Sequence, residues 1–265
     1  MFQFKDFVDE SKIEWKYLCV NPNAFPLLER NQDKIDWMWL SKNPGAIALL
    51  EQNPDKIDWG WLSANPAAIH LLEKNQDKID WNRLSENPGA IRLLEQNPDK
   101  INWGWLSKNP NAIHLLEQNQ HEICWAMLSH NPNGIPLLEQ NPNQIYWGCC
   151  LSRNPGAIHL LEQNQKKIDW MWLSENPGAI PLLEQNPDKI NWDWLSKNPN
   201  AIHLLAQNPD KICWRHLSLN LNIFEAGYSC IERRMNIVKE ELLERALHPD
   251  RIARWLESGA TLDDL

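Results

Sequence analysis

No apolar run in the chain approaches the roughly 18 residues of a membrane span. The opening stretch MFQFKDFVDESK has neither the basic nor the apolar region of a signal peptide. Both absences predict an intracellular protein with no membrane partner. The six cysteines, Cys19, Cys124, Cys149, Cys150, Cys213 and Cys230, contain no C-x-x-C pair, and three of them sit at or beside recurring Trp positions. They read as reduced, partly buried thiols and not as a zinc site or a disulfide framework, so no metal or cofactor is expected. Positive charge is also short: the formal net charge is -9, against the excess of Lys and Arg that a nucleic-acid surface needs on at least one face. Tyr and Phe are scarce, at 3 and 5 residues, whereas Trp reaches 16. With 43% hydrophobic residues the composition is that of a chain with a packed core.

The Trp residues are periodic. Trp preceded two residues earlier by Ile or its equivalent falls at Trp15, Trp37, Trp59, Trp81, Trp103, Trp125, Trp147, Trp170, Trp192 and Trp214, with gaps of 22 residues and one of 23. The exception carries WGCCLS between Trp147 and Ser152 where other copies have WxWLS, and the added residue predicts a bulge, of the π type if it lies in a helix. The unit is I-x-W-x-x-L-S-x-N-P-x-A-I-x-L-L-E-x-N followed by a short link, and it divides into two related arms of about eleven residues. A double unit of 44 residues is also visible. The first arm opens with Asn-Gln at 31, 75, 119 and 164 and with Asn-Pro at 53, 97, 141 and 186, and only the Asn-Pro copies carry His in the second arm.

Asn before Pro is a helix-start signal, because Pro drives the preceding residue out of the α region and the Asn side chain accepts a free amide. For the first arm an alternative start is Asp58, with Ile57 and Leu62 as a hydrophobic staple, and the two starts stay open. In the second arm Pro26, Pro136 and Pro181 stand where His70 stands in its copy, so that helix must begin late or bend. Trp59 with Leu62, and Ile69 with Leu72, have the i, i+3 spacing of one helical face. The fold expected is all-α: an α-solenoid of about ten 22-residue repeats, two short helices each, with a C-terminal helical cap. The alternation of Ile57, Trp59 and Trp61 supports the alternative, a strand-helix solenoid of the leucine-rich-repeat kind. At the usual ~8–10 Å between packed layers, ten units make an open rod on the order of 80–100 Å long. Residues 1–12, with Phe2, Phe4 and Phe7, are expected to cap the first unit; 13–219 form the repeats; and 220–265, with CIERRMNIVKEELLERAL and HPDRIARWLESG, form the terminal cap.

Laid out as NPxAIxLLExNPDKIDWxWLSxNP, residues 13–217 resemble the Trp- and Asn-Pro-rich tandem-repeat proteins of giant DNA viruses, the marseilleviruses especially. The ending HPDRIARWLESG resembles endings common in such proteins. The resemblance implies a viral, lineage-restricted solenoid and supplies no catalytic motif.

The first Trp column is read as packing between layers, its flanking Asp, Asn and Gly being poor company for a stack of nucleotides. The second column, with Trp39, Trp61, Trp105, Trp172 and Trp194, is the aromatic row most suited to a partner. His70, His114, His159 and His203 form a surface row two layers apart, too far for a shared metal ion. The recurring Ser lacks a fixed His and acid in any unit and reads as helix-end hydrogen bonding. The recurring Glu is read as a solvated row partly neutralised by Lys56, Lys78, Lys100 and Lys189. Cys149 and Cys150 mark the break in register, with no positive cluster to activate a thiol. These features predict a non-enzymatic scaffold that binds protein partners along its face or through residues 220–265, as a monomer or in assemblies, in the host cytoplasm or the virion. The alternative is a modular reader of single-stranded RNA. An enzyme seated in the tail shows no nucleophile-base pair and no phosphate loop.

Overall fold

A computed structural model of the protein describes residues 2–226, so the helical cap expected over 220–265 lies outside the described residues from 227 on, and its first residues form a turn and the strand Phe224–Ala226. The chain divides into two units, Phe4–Phe224 and Met1–Gln3 with Glu225–Leu265, and the repeat array lies within the first.

Each repeat is a pair of short helices. In the copy at 53–75, Pro54–Lys56 forms a 3-10 turn, Ile57 and Asp58 are extended, Trp59–Ser63 is α-helical, and after a turn at Asn65 the second helix runs over Ile69–Lys74. Both starts left open for the first arm are therefore used. Asn-Pro opens the 3-10 turn, and Asp58 caps the α-helix by accepting the Trp61 amide at 2.9 Å. The strand alternative does not hold within the repeats: the alternation at Ile57 and Trp59 comes from only two extended residues before the chain turns helical. The one sheet among the described residues is a two-stranded pairing of β1 (Phe2–Phe4) with β2 (Phe224–Ala226). The late helix start expected at the internal prolines is present, since Pro136 and Pro181 stand in the first turns of Ile135–Gln140 and Ile180–Glu184, where no amide is needed. The extra residue at Cys149–Cys150 is absorbed as a π turn over Trp147–Leu151, with Gly148 leaving helical geometry at ψ -113°.

The two kinds of Asn do different work. Asn53 closes the preceding helix backwards, its amide donating to Leu49 O at 2.9 Å. Asn87 caps forwards, its oxygen accepting the Gly89 amide at 2.9 Å, and its buried side-chain amide donates to Ser63 O and Asn65 O of the preceding repeat at 2.9 and 3.0 Å. Ser63 adds a second link: it donates to Trp59 O at 2.7 Å and accepts the Asp80 amide of the next repeat at 3.0 Å. Between these polar ladders lie fully buried Leu and Ala columns such as Leu62, Ala68 and Leu72, each buried Leu being worth about 1.5–3 kcal/mol.

These ladders do not end at the tenth repeat. The Glu14 amide donates to Ser218 Oγ at 3.0 Å, Asn21 Nδ2 donates to Asn220 O at 2.8 Å, and Asn23 Nδ2 donates to Leu221 O at 2.7 Å. The first two bonds recur from layer to layer, with Cys19 Sγ in place of Ser between the first two layers, and the third recurs where Asn stands two residues after the capping Asn, as at Asn111 and Asn200. The repeat unit is thus a closed ring of ten layers, and the expected open rod with a capped face at each end is not found. The physical reason lies in the packing: successive Trp helices lie directly against one another while successive Leu helices are set wider apart, so each layer adds curvature.

The tenth layer is assembled from both ends of the array. Its Trp helix is Trp214–Leu217, after which Ile223 and Phe224 take the places of Ala and Ile, but no Leu helix follows them among the described residues. Residues from the start of the chain fill the gap. Phe4 stacks on Phe224 at 4.7 Å, the Lys5 amide donates to Ile223 O at 2.9 Å, and Val8 is buried. The 3-10 turn Glu10–Lys12, capped by Asp9, then leads into the first Trp helix as an ordinary link does. Phe4 and Phe7 pack against the core, but the face they were expected to cover is met by the last repeat.

Candidate functional site

The ring sorts the candidate residues onto two surfaces. His70, His114, His159 and His203 lie on the outer Leu helices, about half exposed, each with Nε2 2.9–3.1 Å from Glu51, Glu95, Glu139 and Glu184 of the preceding repeat. They tie alternate pairs of layers together and do not converge. Among the described residues no group of three or more His, Cys, Asp or Glu is placed to hold a metal ion.

The first Trp column is half-buried, and its open face is covered by a cation from the next repeat. Lys34 sits 4.1 Å from the Trp15 ring, Lys56 4.4 Å from Trp37, Lys78 4.5 Å from Trp59, Lys100 4.5 Å from Trp81, and Lys189 4.4 Å from Trp170. These lysines therefore lie over indoles and do not neutralise the Glu row as expected; four of those Glu pair with His instead. Lys12 continues the series across the seam, 5.0 Å from the Trp214 ring. Two rings lack the cover, Trp103 and Trp125, because the Lys position before the next repeat holds Glu122 and Gln144.

The second aromatic column faces inwards. Trp39 stacks on Trp61 at 5.4 Å, and Trp172 meets Trp194 at a tilt at 4.4 Å; Tyr17 extends the first pair and His216 the second. Arg83 lies 3.8 Å from the other face of Trp61, and Arg153 lies 4.4 Å from Trp172. Trp105 stands apart. It is 39% exposed, and no ring or cation covers it among the described residues.

Beside this column runs the residue that follows Ser in each repeat, and it carries the lumen's charge: Lys42, Glu86, Lys108, His130, Arg153, Glu175 and Lys197. Burial lowers the Lys42 ammonium below its ordinary value. Glu86 opposes the shift, while Lys108, Lys197 and Arg83 add to it. Lys197 belongs to the ninth repeat and Lys42 to the second, so the two face a common space inside the ring. Glu86 is taken by Lys108 at 2.6 Å, and Glu175 by Arg153 at 2.6 Å and by Lys197. Burial alone would raise the Glu175 carboxyl, but the bond and charge of Lys197, with Arg153, hold it below the usual carboxylate value. His130 is shifted down by burial, against the pull of its bond to Ala126 O.

Among the residues after Ser, four cations (Lys42, Lys108, Arg153 and Lys197) stand against two carboxylates (Glu86 and Glu175), and beside them Arg83 is met by Asp80, in a chain whose formal net charge is -9. Sequence reading missed this segregation, since neither column looks basic until the ring closes. The signal that would have found it is the residue after each Ser, where Lys, Arg and His outnumber Glu.

The vicinal thiols sit on the same inner wall. Cys149 is exposed and Cys150 buried, with Sγ atoms 3.5 Å apart, and burial followed by the neighbouring thiol pushes Cys150 up to about 12. Among the described residues, no helix is long and apolar enough to cross a membrane. Comparison with known protein families, with curated proteins and with solved structures finds no match to this chain.

Proposed function

We propose that the chain is a non-enzymatic binding ring that engages protein partners through its outer face. The observation that carries this reading is the placement of the repeated chemistry. Ser, the second-arm Asn and the first Trp column are consumed by contacts between layers, whereas Glu51, Glu73, Glu95, Glu117, Glu139, Glu162 and Glu184 stand exposed in register on the outside. An array of acidic sites, four of them paired with His and Glu73, Glu117 and Glu162 without a His partner among the described residues, gains avidity with each layer engaged and steers a basic partner towards it. The concave groove that open solenoids offer a protein is here a closed lumen, so the outer face takes that role.

Reading single-stranded RNA one base per repeat is less well supported. Four of the five indoles of the second column are half-buried in the lumen wall, and a strand would have to thread the ring to reach them. The wording of the repeat, close to that of giant DNA viruses, supports a setting in the virion or the host cytoplasm. The tail beyond residue 226 is a second candidate contact.

The test is affinity capture of the full chain from infected host cells, beside a variant with Glu73, Glu117 and Glu162 changed to Gln, with eluates read for protein and RNA. Proteins held by the parent and released by the variant or by added salt are expected. Recovery of RNA without protein, or identical protein capture by the variant, contradicts the reading.

A further inference from the structure

The inner wall of layers two to five encloses a cavity of about 410 Å³ lined by Lys42, Trp61, Arg83, Glu86, Trp105 and Lys108 among others. Its size is that of an ordinary small-ligand site, and it combines flat apolar walls with a few convergent charges. Three cations from different layers point into it, and their satisfaction is unequal. Lys108 holds Glu86 at 2.6 Å, and Arg83 lies 3.5 Å from Asp80 while packing on Trp61. Lys42 has no carboxylate within ion-pair distance among the described residues; its ammonium lies 5.2 Å from the Trp61 ring, is half-buried, and has Lys108, Lys197 and Arg83 as neighbours against Glu86 alone. Holding an ammonium met by an indole but by no carboxylate, among other cations, costs free energy, and a bound anion would offset it. The cavity also holds Trp105, the one indole of the second column whose ring no cation or aromatic neighbour covers among the described residues. Trp61, by contrast, is already sandwiched between Trp39 and Arg83.

An ammonium without a carboxylate partner, two further cations each held by one carboxylate, and a bare indole in one cavity select a ligand that is both anionic and aromatic. We propose that this part of the lumen binds a nucleoside diphosphate, its base stacked on Trp105 and its phosphates held by Lys42, Lys108 and Arg83. Cations from three layers suit a diphosphate better than a single carboxylate, because a pair of phosphoryl groups offers enough oxygens to meet each of them. Stacking on an indole is tolerant of base identity, so discrimination between bases is expected to be weak. The lumen site is separate from the outer face, and the two readings stand or fall independently.

Isothermal titration of the full chain with ADP, pyrophosphate and adenosine tests the proposal. ADP is expected to bind, pyrophosphate about tenfold more weakly, and adenosine not measurably, with affinity falling as salt rises. Trp105→Leu should bring ADP down to the affinity of pyrophosphate and leave pyrophosphate unchanged. Lys42→Met should weaken both by about tenfold or more, Lys42→Arg should retain both, and Lys166→Met, on an exposed link far from the cavity residues, should match the parent. Far-UV circular dichroism of each variant separates lost binding from lost folding. The proposal is overturned if ADP fails to bind the folded parent below millimolar, or if folded Lys42→Met binds like the parent. It is equally overturned if a ten-nucleotide RNA binds more than about a hundredfold tighter than ADP, since stacking summed along a threaded strand would then outweigh a local pocket.

Discussion

Asn109 tests the buried Asn ladder most cleanly. Its side chain is fully buried and makes three bonds: it accepts the Asn111 amide at 3.0 Å and donates to Ser85 O at 3.0 Å and to Asn87 O at 2.8 Å. Asn109→Ala removes a cap worth about 1 kcal/mol. It also leaves Ser85 O without its donor from the next layer, while Asn87 O keeps the Ala90 amide at 3.1 Å, so the two carbonyls together cost about 2 kcal/mol more. A loss of about 3 kcal/mol is expected. The internal control is Asn97→Ala, which removes a single bond to Leu93 O at 2.9 Å from a half-exposed site and should cost about 1 kcal/mol. Asn109→Asp should be worse than Ala, since it turns a carboxylate oxygen towards carbonyls that had received an amide and buries a charge. Urea unfolding followed by both circular dichroism and Trp fluorescence measures all three. Equal costs for Asn109→Ala and Asn97→Ala would refute the claim that the second-arm Asn joins the layers.

Three further outcomes follow from the same geometry. Glu122→Lys supplies the cation missing over Trp103 and should raise stability by about 0.5–1 kcal/mol, read as a higher thermal midpoint. Glu175→Gln removes the negative charge and one of the two oxygens that hold Arg153 and Lys197 and, with those partners about a third exposed, should cost about 1–3 kcal/mol at pH 7. Because the folded carboxyl titrates below its unfolded value, the Glu175 contribution is complete above the ordinary carboxylate pKa and is lost as pH falls through the depressed one. The gap between parent and variant should therefore close in acid, and a gap that persists in acid contradicts the assignment. Cys149 should react with a maleimide far faster than buried Cys150, whose thiol is pushed up to about 12; peptide mapping of the labelled chain checks the order.

The two-helix repeat was legible because its signals are local. Asn-Pro punctuation, the i, i+3 pairs Trp59–Leu62 and Ile69–Leu72, and the late proline at 136 each act within a few residues. The extra residue at Cys149–Cys150 was legible for the same reason, since one insertion in a helix has few outlets. The layer-to-layer role of Asn was only partly visible. Its position announced a cap, whereas the two donations of Asn87 to Ser63 and Asn65 depend on a neighbour 22 or 24 residues away.

Closure was illegible from any single repeat, because curvature is a small rotation accumulated over the array. Its trace was nonetheless present at the ends. Asp9, Lys12 and Ile13 stand one period before Asn31, Lys34 and Ile35, so the segment assigned to a cap already carried the repeat's register. The last repeat, meanwhile, departs from the pattern at Leu221 and Phe224, and no outer helix follows among the described residues. The charge of the lumen depends on closure and was hidden with it.

Ring closure is tested most directly by the distance across the seam. Spin labels at Ser11 and Asp210 mark equivalent exposed positions on the turns Glu10–Lys12 and Pro209–Lys211, with Cys124, Cys149, Cys213 and Cys230 replaced by Ser to avoid stray labelling. In the ring these turns belong to neighbouring layers, and double electron-electron resonance should give a single distribution centred near or below about 20 Å, label arms included. An open solenoid would place them nine layers apart, on the order of 80 Å, and a distribution beyond about 50 Å would contradict the closed ring.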